Sequence, residues 1–123
     1  MRTCKDMGIH VMAFSNLGGA SYVAIGMADE SDSCMSPQVV KDAAAKHGKS
    51  AGQVVLKWGI QRGNTIIPKT AKKERLAENA GLFDWELTAE EMESIDALNK
   101  NKRYNNPAEF CERFFKVFVA IHE

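Results

Sequence analysis

The chain has 123 residues, of which 45% are hydrophobic and 26% are charged, so it can bury a core. Its 16 basic and 16 acidic residues cancel, which excludes a general attraction to nucleic acid or to an anionic membrane. It has no apolar stretch of about 18 residues, no signal peptide pattern, and no paired cysteine spacing typical of a disulfide framework or zinc site. We therefore expect a cytoplasmic protein that acts on small molecules and holds no metal.

The first half of the chain predicts one strand, a long loop and two helices. Residues 9–13 form an apolar run typical of a strand, and residues 19–33 are small and polar enough for a loop. The pattern predicts helices over 39–47, ending at Gly48, and over 53–62. Ser50 and Gln53 have the spacing of a capping box at the start of the second helix.

A second strand and two further helices follow. Residues 65–67 predict a strand, which must end at Pro68 because proline cannot donate to a sheet ladder. The pattern predicts a helix over 72–80 with Thr70 as its N-cap, and with Leu76 and Ala80 packed against the sheet. The last helix is predicted after the capping-box pair Thr88 and Glu91.

The end of the second strand brings together side chains that suit a phosphorylated nucleotide. Lys69 adds a positive charge beside the start of the helix after it, where free backbone N–H groups favour an anion. Arg75, Glu78 and Asn79 are three and four residues apart, so they lie on one helix face. A solvated charged surface is the simpler interpretation of the charges alone, but the strand, proline, hydroxyl and spacing together favour the nucleotide site.

Two longer stretches of sequence add to these features. Residues 67–70, followed by Arg75, Glu78 and Asn79 and then by residues 83–88, resemble the cofactor segment of the aldo-keto reductases, close to the aldose reductase branch. Residues 8–18 resemble the seventh barrel strand of that family. The resemblance implies an α/β fold: the C-terminal part of a (β/α)8 TIM barrel, with its last two strands, their helices and the C-terminal extension.

The resemblance also implies NADPH as the cofactor. In the family a lysine and an arginine hold the 2′-phosphate, a hydroxyl assists, and a glutamate and an asparagine contact the adenine. These roles fall on five residues of this chain: Lys69, Arg75, Thr70, Glu78 and Asn79.

The first strand is expected to supply the rest of the cofactor site through Phe14, Ser15 and Leu17. Phe14 replaces the family's tyrosine that stacks on nicotinamide, and stacking needs only an aromatic face. Without the resemblance, a buried core aromatic would be the preferred interpretation of Phe14. Asn16 stands where relatives usually have proline, so the turn can differ in shape.

Length limits what this chain can do alone, because a complete barrel takes roughly 250 residues. We expect residues 1–101 to form a partial barrel with the NADPH-binding segment, and residues 102–123 to form the C-terminal extension. The family's catalytic aspartate, tyrosine, lysine and histidine lie on earlier strands without counterparts here. We expect no catalytic residue and negligible carbonyl reduction by this chain, which we interpret as a truncated gene model, a fragment or a product of gene decay.

The parent enzyme would reduce aldehydes or ketones, sugars among them, to alcohols. Two alternatives remain open: a noncatalytic nucleotide-binding module, and an interaction subunit that self-associates through its open strand edges. Phe110, Phe114 and Phe118 recur every four residues in the tail, which favours a packed amphipathic helix over a substrate pocket.

Overall fold

Two short parallel strands and the helices beside them make up the computed structural model, which describes residues 2–18, 22–23, 26, 28–102, 104, 112 and 116. Along this part of the chain the elements are α1 (Arg2–Asp6), β1 (Met12–Ala13), a 3-10 helix (Glu30–Asp32), α2 (Gln38–His47), α3 (Ala51–Gln61), β2 (Thr65–Ile66), α4 (Lys73–Ala80) and α5 (Ala89–Asp96). The predicted α/β class is confirmed.

The strands are shorter than predicted. Met12 lies opposite Thr65 and Ala13 opposite Ile66, and the Thr65 N–H donates to the Val11 carbonyl at 3.0 Å. The next possible ladder donor, the N–H of Ile67 just after β2, bonds to a side chain, and Pro68 has no N–H at all. The backbone ladder therefore stops before residue 67.

The two faces of this small sheet have different surroundings. Ile66 faces α3, because a Cβ atom at Gly59 would lie 3.3 Å from its Cγ2. Met12, Phe14 and Ile67 alternate with the residues of that face, and they are 61%, 61% and 51% exposed. Parallel sheets are normally covered on both faces. In the described chain, by contrast, this apolar face is exposed to solvent.

Helices α2 and α3 begin and end largely as the sequence predicts. Gly48 ends α2 in the left-handed region at φ 61°, where the Lys49 N–H reaches the Ala44 carbonyl at 2.9 Å. The capping box of α3 is confirmed: the Gln53 N–H donates to Ser50 Oγ at 3.2 Å, and the Ser50 N–H donates to Gln53 Oε1 at 3.0 Å.

The apolar core lies between α2 and α3 and is closed by the segment before α5. Its buried members come from these three parts of the chain: Val40, Ala43, Ala44, Val54, Val55 and Leu87. Partly buried side chains pack around this cluster, among them Leu17, Trp58 and Ile95. Within the described residues, no helix has the length and apolar character needed to cross a membrane.

Glu91 joins α5 to the end of α2. Its carboxylate, 13% exposed, accepts hydrogen bonds from Lys46 Nζ at 2.8 Å, His47 Nε2 at 2.9 Å and the Thr88 N–H at 2.8 Å. The last of these bonds confirms the predicted capping box. Burial alone would raise the pKa of Glu91, but the donors outweigh it and lower the pKa to about 2.

Asp32 attaches Lys102 and Tyr104 to the loop after β1. Its side chain, 4% exposed, accepts hydrogen bonds from Lys102 Nζ and from the Tyr104 hydroxyl. The pKa of Asp32 is lowered to about 2, mainly by the hydrogen bond from Lys102 and next by the hydrogen bond from the Asp29 N–H. The tail residues Phe110, Phe114 and Phe118 lie outside the described residues.

Candidate functional site

The loop after β2 differs from its predicted form at the start of the helix. Lys72, not Thr70, is the N-cap of α4, and no side chain among the described residues caps this helix. The Thr70 hydroxyl instead accepts a hydrogen bond from the Lys72 N–H at 3.1 Å. Threonine commonly bonds the backbone two residues ahead, and this local turn delays the helix until Lys73. The first-turn N–H groups of α4 consequently remain free of a side-chain cap.

The predicted phosphate-binding cations lie on either side of this helix start. Lys69 is exposed in the loop, and Arg75 is exposed in the first turn of α4. Neither side chain makes an ion pair with any residue that the structure describes. The positive end of the α4 dipole lies between them in sequence, so the local charge favours an anion.

The predicted packing of Leu76 against the sheet is wrong. Leu76 is 59% exposed, Ala80 is also exposed, and α4 contains no buried residue. The helix is held by polar contacts instead: Ser50 Oγ donates to Glu78 Oε2 at 3.1 Å, and Gln53 Nε2 donates to the Glu78 carbonyl at 3.0 Å. Glu78 is therefore fixed by the N-terminus of α3.

A polar stripe on α3, which was not predicted, positions the chain after Glu78. Gln53 Nε2 also donates to the Gly81 carbonyl at 3.3 Å, and Lys57 Nζ donates to the Leu82 carbonyl at 3.0 Å. The side chain of Gln61 donates to the Leu87 carbonyl at 3.1 Å and accepts from the Leu87 N–H at 2.8 Å.

The signal for this stripe is present in the sequence. Gln53, Lys57 and Gln61 are four residues apart, so they lie along one side of α3. Gln53 and Lys57 are buried, at 8% and 4% exposure, among apolar neighbours. Buried polar side chains need partners, and here the partners are backbone groups of the segment between α4 and α5.

The turn after β1 presents the other predicted site residues in different ways. Phe14 is 61% exposed on the open face of the sheet, which contradicts its interpretation as a buried core aromatic. Ser15 has a φ of 51°, and its hydroxyl lies 3.2 Å from the hydroxyl of Tyr22. Leu17 packs against the apolar core. An open aromatic face and a hydroxyl are therefore available beside the end of β1.

The parallel pairing of β1 and β2 brings the two predicted segments to the same edge of the sheet. The turn of Ser15 and Leu17 follows β1, and the loop of Lys69 and Thr70 follows β2. Asn16 connects them directly, because its Oδ1 accepts the Ile67 N–H at 3.1 Å. Asn79 is half-buried further along α4.

A separate cavity of about 720 Å³ lies between the loop after β1 and helices α3 and α5. Its charged lining groups are already paired: Arg62 with Asp96 at 2.5 Å, and Lys102 with Asp32. Its remaining lining includes Trp58 and other apolar side chains. This cavity therefore does not replace the strand-end region as the candidate site.

Comparison with known proteins identifies the family of this chain. Residues 1–100 match the model of the aldo/keto reductase family, and the chain therefore belongs to this family. A probable NAD(P)H-dependent D-xylose reductase of Aspergillus fumigatus is 41% identical over 102 residues, which cover 81% of this chain and 32% of that protein.

Two further relatives are similar to this chain over a comparable share of its length. The NAD(P)H-dependent D-xylose reductase of Kluyveromyces lactis is 36% identical over 118 residues, covering 94% of this chain and 36% of that protein. The glyoxal reductase of Bacillus subtilis is 40% identical over 107 residues, covering 86% and 34%. The chain thus spans about a third of the length of the curated relatives it matches.

Proposed function

We propose that this chain is the cofactor-binding C-terminal portion of an NADPH-dependent aldo-keto reductase, formed by the last two strands of a (β/α)8 barrel, their helices and the C-terminal extension. The whole protein would reduce aldehydes or ketones, aldose sugars among them, to alcohols. A reducing compartment such as the cytoplasm suits the free thiols of Cys4 and Cys34.

The observation that carries the proposal is the pair of cations around the uncapped start of α4. Lys69 and Arg75 are exposed and make no ion pair within the described chain. Two cations and free N–H groups suit a phosphate dianion, and the 2′-phosphate distinguishes NADPH from NADH. Thr70 would add a hydroxyl to this group.

The adenine and nicotinamide ends of the cofactor would lie on opposite sides of this phosphate site. Glu78 and Asn79, on α4, would contact the adenine, and the bond from Ser50 restrains the Glu78 carboxylate. Phe14 offers an open ring face for stacking on nicotinamide, with the Ser15 hydroxyl and Leu17 beside it. When bound, NADPH would supply a hydride to the substrate carbonyl carbon.

Nucleotide binding by the 123-residue chain tests the proposal. We expect Lys69→Met and Arg75→Met each to weaken NADPH binding by about tenfold or more, because each removes a charged hydrogen bond to phosphate. NADH binding, measured by the same fluorescence titration, should change little. Lys73→Met is the matched control, since it removes an equal charge from the same helix. Equal affinity of the wild-type chain for NADPH and NADH would contradict the 2′-phosphate site.

We also propose that the chain does not reduce carbonyl compounds alone, because no residue of it takes the family's catalytic roles. NADPH oxidation in the presence of xylose or glyoxal should remain at the uncatalysed rate. Turnover near that of complete relatives would show that this chain contains a proton donor that we have not identified.

A second candidate function rests on the open sheet face. Met12, Phe14 and Ile67 form an exposed apolar surface beside strand edges that no described residue pairs with, which favours an interaction subunit that self-associates. Sedimentation velocity at several concentrations should then show a mass that rises with concentration. Met12→Lys should reduce that association, and Met35→Lys, on another surface, should not. A monomer at all concentrations would exclude this role.

A further inference from the structure

The strand-end region contains a link that no family role accounts for. In a regular parallel ladder the Ile67 N–H, two residues after Thr65, would donate to the carbonyl two residues after Val11, which is that of Ala13. The structure directs this donor instead to Oδ1 of Asn16, at 3.1 Å. A backbone N–H can only donate, so the side-chain oxygen of Asn16 must face it.

The bond between Asn16 and Ile67 lies just before the loop that carries the proposed phosphate-binding residues. Pro68 follows Ile67 and has no N–H, so the Ile67 bond, just after β2, is the last backbone donor contact before Lys69 and Thr70. Asn16 itself lies in a turn that the Gly18 N–H closes on the Ser15 carbonyl at 2.8 Å. The positive φ of Ser15, 51°, directs the chain into this turn.

Asn16 therefore lies between two proposed nicotinamide-side residues, Ser15 and Leu17, and bonds directly to the strand that leads to the phosphate-side residues. We propose that Asn16 is a positioning residue that sets the spacing between the two halves of the cofactor site. This inference rests on the proposed function. A ligand that spans both halves needs the spacing, whereas a ligand that fills only the phosphate half does not.

Two ligands separate these cases in the full 123-residue chain. NADPH spans the whole site, and 2′,5′-ADP occupies only the phosphate and adenine half. Asn16→Leu keeps the approximate size of the side chain and removes the acceptor. We expect it to weaken NADPH binding by about threefold to tenfold, the effect of one net hydrogen bond, with less than about a twofold change for 2′,5′-ADP.

The matched control is Gln38→Leu, because the Gln38 amide bonds to Asp42 at 2.8 Å within α2, away from the strand ends. It should change neither affinity. An equal loss of both ligands in Asn16→Leu would show general damage to the site and would overturn the positioning role. Unchanged NADPH affinity would overturn it as well.

Hydrogen exchange of the Ile67 amide gives a readout that does not depend on nucleotide. We expect slow exchange in the wild type and in Asn16→Asp, which retains an acceptor oxygen, and faster exchange in Asn16→Leu. Equal exchange in all three would show that Asn16 does not hold Ile67. Failure of the wild type to bind NADPH would contradict the proposed function, whereas the exchange result would still decide whether the link exists.

Discussion

The contact of Glu91 with α2 makes the stability of this chain dependent on pH. The carboxylate accepts three hydrogen bonds, from Lys46, His47 and the Thr88 N–H, and its pKa falls from 4.5 to about 2. One pKa unit corresponds to about 1.4 kcal/mol, so the ionised carboxylate stabilises the folded chain by about 3 kcal/mol at neutral pH. Glu91→Gln should lower the free energy of unfolding at pH 7 by about 2–3 kcal/mol, since glutamine retains only the capping role.

The direction of the pH effect follows from the lowered pKa. The stabilisation is fully present above pH 4.5, where the unfolded chain is also ionised, and is lost as the pH falls toward 2. Urea unfolding at pH 7 and pH 3 should therefore show that the difference between wild type and Glu91→Gln shrinks by about 2 kcal/mol.

Glu93→Gln is the matched control, because it removes an equal charge from the exposed side of α5. Its difference from the wild type should be small at both pH values. If the Glu91→Gln difference were the same at pH 3 as at pH 7, the lowered pKa would be refuted, and the contact would be an ordinary surface pair.

Three further predictions concern other parts of the chain. Gln61→Leu should lower the free energy of unfolding by about 1–3 kcal/mol in urea titrations, because the buried Leu87 N–H loses its acceptor. Gln38→Leu is the control. An unchanged free energy of unfolding in Gln61→Leu would contradict the polar stripe. Gly63→Ala, at φ 80°, should destabilise the fold by about 1–2 kcal/mol and lower the melting temperature. Gly52→Ala, inside α3, should raise the melting temperature, because alanine favours a helix more than glycine does. A change of melting temperature in the same direction for both variants would be inconsistent with the backbone geometry. Asp32→Asn should speed amide exchange of residues 100–102, and unchanged exchange would show that Asp32 does not hold this segment.

Local chemistry explains which parts of the fold could be predicted. The capping boxes at Ser50 and Thr88 depend on residues three apart, and Pro68 ends a strand through its own missing N–H. The order of the two strands and of α2 to α5 follows from the same short-range patterns, whereas the 3-10 helix Glu30–Asp32 lies where a loop was predicted. The sequence also predicts Lys69 and Arg75 as cofactor residues, and these roles remain predictions.

Other features depend on contacts between residues that are far apart in the sequence, and these features were predicted wrongly or not at all. The pattern of Leu76 and Ala80 predicts a packed face, yet α4 is attached through Glu78 to Ser50 and Gln53, residues on another helix. The delayed start of α4 depends on a threonine turn that competes with a helix cap.

The sequence by itself determined the family, the order of the two strands and of α2 to α5, and the chemical character of the strand-end residues, because these are properties of neighbouring residues and of long matching motifs. Only the tertiary structure decided that Asn16 replaces a ladder bond to Ile67, that Gln53, Lys57 and Gln61 hold the chain after α4, and that the sheet has one open apolar face. Each of these depends on which groups far apart in the chain come within hydrogen-bonding or packing distance, and local patterns do not specify those partners.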